Sequence, residues 1–341
     1  MKPVRKKKEV APLSQIIQLL PQVLVDGLTL GFVYAVVAIG YTMVYGILEL
    51  INFAHGDIFM TGSFVGAGVL FTVMSMGFMS SAPTMVLFMI MILVAALITG
   101  VMGVGIERVA YRPLRKRNAP KLIALITSIG ISFILEDAVR FIADWTTGNY
   151  IITTRPLFQH KFTIDFHSVF PFFNNATFQG SFLVVSIVTI IMLISLDLFV
   201  SKTKWGIAMR AVAQDRETAS LMSINVNRVI SVTFFIGSAL GGATGVLFLI
   251  QYGTVDPYIG FILGIKAFTA AVLGGIGNIR GAMFGGILLG LLEMFAAANL
   301  STITHGAMGS EYKDVFAFII LILVLIFKPE GLFGKATIEK V

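Results

Sequence analysis

The sequence predicts an all-α, polytopic integral membrane protein, a helical bundle of about eight to ten transmembrane spans, some of them discontinuous. Three observations carry that prediction. Of the 341 residues, 57% are hydrophobic and 13% charged, far from the composition of soluble domains. Residues 27–48, 58–106 and 229–255 contain no Asp, Glu, Lys or Arg, and each run meets the roughly 20 apolar residues a spanning helix needs. There are 34 glycines, many of them four residues apart: Gly27/Gly31, Gly62/Gly66, Gly237/Gly241, Gly241/Gly245, Gly281/Gly285 and Gly286/Gly290. Such small-xxx-small spacing lets helix backbones approach closely inside a bilayer.

In chain order, the tail 1–12 carries Lys2, Arg5, Lys6, Lys7 and Lys8. It lacks the apolar core and small-residue cleavage site of a secretory signal. Three other segments are basic. The loop 107–121 holds Arg108, Arg112, Arg115, Lys116, Arg117 and Lys121. The insert 202–228 contains or abuts Lys202, Lys204, Arg210, Arg216 and Arg228. The C-terminal tail has Lys328 and Lys335. The positive-inside rule places all four, and so both termini, on the cytoplasmic side. An even number of crossings must then separate the tail from 107–121. The run 58–106, broken at Ser80-Ser81-Ala82-Pro83, supplies two spans and 27–48 a third. The fourth is either a short separate span over 13–30 followed by 31–48, or a break near Asn52–Asp57 within a discontinuous span.

Residues 122–143 then leave the cytoplasm, carrying Glu136, Asp137 and Arg140 toward the outer end. Residues 144–180 form a periplasmic loop rich in Trp145, Tyr150, Phe158, Phe162, Phe166, Phe170, Phe172 and Phe173, an interfacial composition. Spans over 181–200, 229–250, 258–279, 281–298 and 315–327 follow. The chain 1–341 reads as one transmembrane domain with no linker.

The net charge of +7 would suggest nucleic acid in a soluble protein, but here the basic loops account for it, so lipid is the expected surrounding and no nucleic-acid partner is expected. Without cysteine there is neither a disulfide nor a thiolate metal site. No Walker-type loop occurs; the closest string, Gly331-Leu-Phe-Gly-Lys335, is too short. No catalytic triad or zinc spacing appears either. The chain is therefore expected to be no enzyme, to have no catalytic, cofactor or metal residues, and to depend on another subunit for ATP hydrolysis.

Polar groups at membrane depth are costly and mark a pathway or a pair. Glu49-Leu-Ile-Asn52-Phe53-Ala-His55-Gly56-Asp57 is a polar knot between apolar runs. As a helix it would put Glu49, Asn52 and Gly56 on one face; unwound, it would offer backbone groups to a cavity; as a plain loop it would do neither. Lys266 sits in an apolar stretch ahead of Leu273-Gly-Gly-Ile-Gly-Asn-Ile-Arg-Gly281, and either snorkels or faces a path. The glycines there read as a tight turn with Arg280 at the cytoplasmic surface. Glu293 needs a base or water. Glu49, Asn52, Phe53, His55, Gly56, Asp57 and Lys266 are the expected substrate path.

The insert 202–228 is polar and mildly amphipathic. Ala219, Met222 and Val226 make one apolar stripe, and Asp215 is placed to cap a short helix. Arg216 and Glu217 point away from the stripe. A solvated connector would read the same way, but a membrane protein without its own energy source also needs a surface for a soluble partner.

The stretch from Leu28-Thr-Leu-Gly-Phe-Val-Tyr-Ala through Tyr41-Thr-Met-Val-Tyr-Gly-Ile to Ile51-Asn-Phe-Ala-His-Gly-Asp57 resembles the inner-membrane permeases of branched-chain amino acid ABC transporters. So do Ala110-Tyr-Arg-Pro-Leu-Arg115, Leu273-Gly-Gly-Ile-Gly-Asn-Ile and Lys328-Pro-Glu-Gly-Leu-Phe-Gly334. The likeness spans about residues 27–334 and favours the first of the two homologous permeases. It implies a second permease, two cytoplasmic ATPase subunits that use the ATP, a periplasmic substrate-binding protein and a bacterial inner membrane. It also implies that Arg210, Asp215, Arg216, Glu217, Ala219, Met222, Ser223, Ile224 and Asn225 form the ATPase-docking segment. The chain departs from the family in having Ser223 where Gly is usual and Arg280 where Pro is frequent. Members also carry urea and short amides. An autonomous carrier using His55, Asp57 and Glu293, and an intramembrane enzyme, are the readings from other classes.

Overall fold

The computed structural model describes residues 12–48, 50, 52–77, 83–154, 157–158, 160–168, 170, 172–328 and 330–334. Helices α1 (Pro12–Leu48), α2 (His55–Ser75) and α3 (Thr84–Ile106) open the bundle. A π-helical turn (Glu107–Tyr111) joins α3 without interruption to α4 (Arg112–Lys116). There follow α5 (Lys121–Thr147), α6 (Gly180–Lys202), α7 (Lys204–Gln214), α8 (Arg216–Leu221), α9 (Val226–Tyr252), α10 (Ile259–Gly274), α11 (Ile279–Ile303) and α12 (Lys313–Phe327). Seven helical stretches are long and apolar enough to cross a membrane, with α3 and α4 acting as one. With the shorter apolar α10 and α12, nine apolar helices lie among the described residues, within the expected range.

The glycine pairs act as the spacing predicts. Along the antiparallel α1–α11 seam, Gly27 faces Gly290 and Leu291, and Gly31 faces Gly286 and Ile287. Along α2–α9, Gly62 lies against Gly242 and Gly66 against Val246. Helix α9 is the centre of the bundle, packed on α1, α2 and α3 and buried over most of its length. Hydroxyls reinforce these seams: Ser63 donates to the Gly245 carbonyl at 2.9 Å and Thr99 to the Ser238 carbonyl at 3.0 Å. Inside a bilayer such bonds and close packing substitute for the missing hydrophobic drive.

No separate span over 13–30 occurs, whereas the expected break near Asn52–Asp57 is present, between α1 and α2. Residues 13–30 and 31–48 both belong to the one 37-residue helix Pro12–Leu48, which runs through Pro21. A proline removes one hydrogen bond, and the long apolar run beyond it keeps the helix going. Three span-length helices, α1, α2 and α3, thus lead up to 107–121. Gln18 accepts from the Asn174 amide at 3.0 Å, and Gln22 pairs with the Thr177 backbone at 2.8 and 3.0 Å. This fastens the start of α1 to the segment 144–180. At its other end the Ile47 carbonyl accepts from Arg216 of α8 at 2.7 Å. The C-terminal turn 330–334 lies beside α10's end, with Leu332 N bonded to the Leu273 carbonyl at 2.8 Å. The first described residues and the C-terminal turn thus sit at opposite ends of the bundle. The basic residues of the tail lie outside the described residues.

Segment 144–180 is more than a loop. Strand β1 (Ile152–Thr153) pairs antiparallel with β4 (Thr254–Val255), and β2 (Lys161–Ile164) with β3 (Ala176–Gln179). Phe162 stacks on Phe178 across the hairpin at 5.4 Å. The expected loop 107–121 is mostly helix, leaving only residues 117–120 as a connection.

Candidate functional site

The polar knot is re-entrant. α1 ends at Leu48, yet His55, the first residue of α2, packs against Gly40, two helical turns back along α1. Asn52 and Ala54 between them are buried, with Asn52 outside any helix and Gly56 within α2, so Asn52 and Gly56 do not share a helical face. Glu49 lies outside the described residues. Helix α2 begins without a side-chain cap; the His55 amide donates instead to the Asn52 carbonyl at 3.1 Å.

The side chains here are almost fully enclosed. His55 fits against Gly40 and Gly241, a niche no Cβ at residue 40 would allow, and meets Tyr41 edge-on at 4.8 Å. Asp57 accepts from the Ser132 hydroxyl of α5, while its Oδ1 faces Gly260. Gly56 touches the Gly260 carbonyl and Gly264, so α2 and α10 meet backbone to backbone. Phe53 and Phe268 lie 6.1 Å apart. Asn52 Oδ1 accepts from the Tyr111 hydroxyl at 2.9 Å. Asn52, Phe53, His55, Gly56 and Asp57 therefore form one constellation on α2, α5 and α10.

Sequence reading missed the anchor of this constellation. Glu107, fully buried, accepts from Arg112 at 2.8 and 3.2 Å, from Arg115 at 3.2 Å and from Ser231 of α9 at 2.8 Å. Arg115 also donates to Asn227 at 2.7 Å. Two of the arginines counted only as surface charges thus bind α3 and α4 to α9. The π-turn spanning Glu107 to Tyr111 places Glu107 on α9 and Tyr111 on Asn52 together. An acid directly ahead of an arginine-rich motif was the available signal.

Lys266 stands apart from the knot. Its ammonium pairs with Glu293 at 2.8 Å and Asp314 at 2.7 Å, while Glu293 also receives Lys313 at 3.4 Å and the Tyr34 hydroxyl at 2.8 Å. Lys266 and Glu293 are thus each other's partner, joining α10, α11 and α12, and both also line a cavity of about 360 Å³. Arg280 forms a two-pronged pair with Asp197 of α6 at 3.0 and 3.1 Å, so the basic residue at this turn joins α11 to α6.

Insert 202–228 is an elbow. Asp215 caps α8 as expected, accepting from the amides of Glu217 at 2.9 Å and Thr218 at 3.2 Å. Hydrogen bonds from the Thr218 hydroxyl and amide, with a further one from the Glu217 amide, hold its carboxyl below the ordinary carboxylate range. The cap therefore persists above that range and is lost as pH falls through the lowered value. Asn225 caps α9 through Arg228 N at 3.0 Å. Arg210 donates to the Val200 carbonyl, and Arg228 lies over Trp205 at 5.4 Å. The expected apolar stripe is broken, because α8 stops at Leu221 and Val226 belongs to α9. Ala219 is buried against the bundle, whereas Leu221 and Met222 are 85% and 73% exposed at the tip, beside exposed Glu217 and half-buried Ile224.

Ser223 has φ +63°, the left-handed conformation that glycine adopts without cost. A serine here is strained, and Ser223→Gly should stabilise the elbow by about 1 kcal/mol. Thermal unfolding of the detergent-purified chain checks this; an unchanged or lower midpoint would contradict it.

A bundle of apolar helices with a polar re-entrant break and an exposed elbow at one end is the architecture of a multi-pass membrane protein. Residues 23–325 match the family model described as the permease component of the branched-chain amino acid transport system. Over 320 residues the chain is 44% identical to the high-affinity branched-chain amino acid transport system permease protein BraD of Pseudomonas aeruginosa, covering 94% of this chain and 97% of that one. It is 43% identical over 326 residues to the corresponding LivH of Escherichia coli K12, with the same coverage. A probable LivH from Methanocaldococcus jannaschii is 30% identical over 297 residues, 87% of each chain. No solved structure matches. The chain belongs to the branched-chain amino acid transport permease family.

Proposed function

We propose that this chain forms part of the translocation path of an ATP-driven importer of branched-chain amino acids in the bacterial cytoplasmic membrane. The observation that carries the reading is 43–44% identity over nearly the whole chain to permeases named for that transport. A second homologous permease, two ATPase subunits that use the ATP, and a periplasmic substrate-binding protein complete the importer. The elbow end carries Arg108, Arg117, Lys202, Lys204, Arg210 and Lys328, which supports its being cytoplasmic. The start of α1 and the β2–β3 hairpin then face the periplasm. The constellation of Asn52, Phe53, His55, Gly56 and Asp57 lines the path, with Tyr111 and Asn52 bonded at its inner end. Lys266 serves as the structural partner of Glu293. Autonomous carriage would need a relay through His55, Asp57 and Glu293, but Glu293 is committed to Lys266, Lys313 and Tyr34.

The elbow presents Leu221 and Met222 to the ATPases, and nucleotide-driven closure moves it by contacts that differ between states. Buried Ala219 and half-buried Arg216, the latter bonded to α1, instead couple the elbow to α1. Leu221→Asp combined with Met222→Asp should cut ATPase co-purification and leucine uptake at least about tenfold, with membrane insertion intact. Unchanged uptake would remove the tip from the contact. The reading as a whole is tested by uptake of labelled leucine, urea and a short amide, with ATP depleted and the proton gradient collapsed separately. Leucine uptake that fails only on ATP depletion supports it, whereas uptake tracking the gradient overturns it.

A further inference from the structure

We propose that the elbow end of this permease holds a second binding site, for free aliphatic amino acid on the cytoplasmic side, whose occupancy slows the transport cycle. The inference rests on the branched-chain amino acid reading above. A cavity of about 400 Å³ opens between the end of α1, the α4–α5 connection and the α7–α8 elbow, in the size range of small-ligand pockets. Ile47, Leu50, Leu114 and Val212 give it an aliphatic wall.

Two guanidinium groups, from Arg115 and Arg216, line the same cavity. Arg115 uses Nη2 on Glu107 and Asn227; its Nη1 has no hydrogen-bond partner but is closed off in the cavity wall, so a ligand must displace part of that wall to reach it. Arg216 uses Nη2 on the Ile47 carbonyl. Glu107 is already shared with Arg112, and Asp215 is occupied as the cap of α8, so positive charge is in surplus. The N-terminus of α5, which lacks a side-chain cap, opens on the cavity as well. A buried guanidinium N–H without an acceptor is costly, and a carboxylate is the acceptor whose paired oxygens suit guanidinium groups. A cationic end beside an aliphatic wall fits the α-carboxylate and branched side chain of leucine or valine.

Arg115 belongs to the rigid α3–α4–α9 frame, whereas Arg216 begins α8 of the elbow. A carboxylate held between them ties the moving element to the frame. A ligand that favours one arrangement shifts the population toward it, so product accumulating inside slows further import.

The test uses the complete importer in proteoliposomes with the ATPases outward and the binding protein plus leucine sealed inside. Initial ATP hydrolysis is followed while leucine or leucinol, which lacks the carboxylate, is added outside. Leucine should lower the rate in a saturable way and leucinol should not. Arg115→Lys retains a charge for Glu107 but loses the fork, and should raise the half-inhibiting leucine concentration about tenfold. Ala119→Phe, filling the cavity from the 117–120 connection, should do the same without altering a guanidinium. Each variant is compared with its own uninhibited rate. ATP-driven leucine movement that is indifferent to external leucine, or equally inhibited by leucinol, would overturn the inference while leaving the permease reading standing. No ATP-driven leucine movement at all would remove that reading, and the inference with it.

Discussion

Glu107→Gln should destabilise the bundle by about 3 kcal/mol, the lower end of the cost of breaking a buried ion pair. The carboxylate is fully buried, while the Arg112 and Arg115 side chains are 26% and 17% exposed, so water relieves part of the loss. Glutamine keeps the shape and an acceptor for Ser231, but leaves two guanidinium groups facing a neutral amide. The substitution therefore reports the charge itself. In detergent, the unfolding midpoint should fall well below that of the parent chain. Arg115→Gln added to Glu107→Gln should lose less than the two single changes summed, because the carboxylate then leaves one fewer cation behind. An unchanged midpoint for Glu107→Gln would show that the network does not hold α3 and α4 to α9.

Gly286→Leu should be comparably damaging, by about 3 kcal/mol, through steric conflict. A Cβ at residue 286 would lie 2.4 Å from the backbone N and Cα of Ala35, and one at residue 290 would lie 2.3 Å from Gly31 N. These neighbours are backbone, so no rotamer change relieves the clash and α1 must separate from α11. That separation breaks the most extensive helix pair in the bundle. Purified Gly286→Leu should aggregate or melt early, whereas Gly68→Leu, which meets nothing within 4 Å, should behave like the parent. Equal stability of the two would contradict the close α1–α11 approach.

The sequence by itself determined whatever depends on neighbours a few residues away. Hydropathy revealed the helical membrane class, Asp215 announced the start of α8, and the four-residue glycine spacing marked the seams. Contiguous motifs indicated the family, since strings such as Asn52–Asp57 and Ala110–Arg115 need no folding to be read. Tertiary structure decided what depends on the rotation and depth of one helix against another. Ser231 is 124 residues from Glu107, and Lys266 is 27 from Glu293; nothing local shows that they meet. The re-entrant start of α2, the Tyr111–Asn52 bond and the uninterrupted α1 have the same origin. Charge counting asked for a fourth crossing before 107–121 and left its place open, whereas residues 12–48 form a single continuous helix. A helix's period and its caps are short-range properties of the chain, whereas the pairing of buried charges is settled only when close-packed helices have chosen their faces.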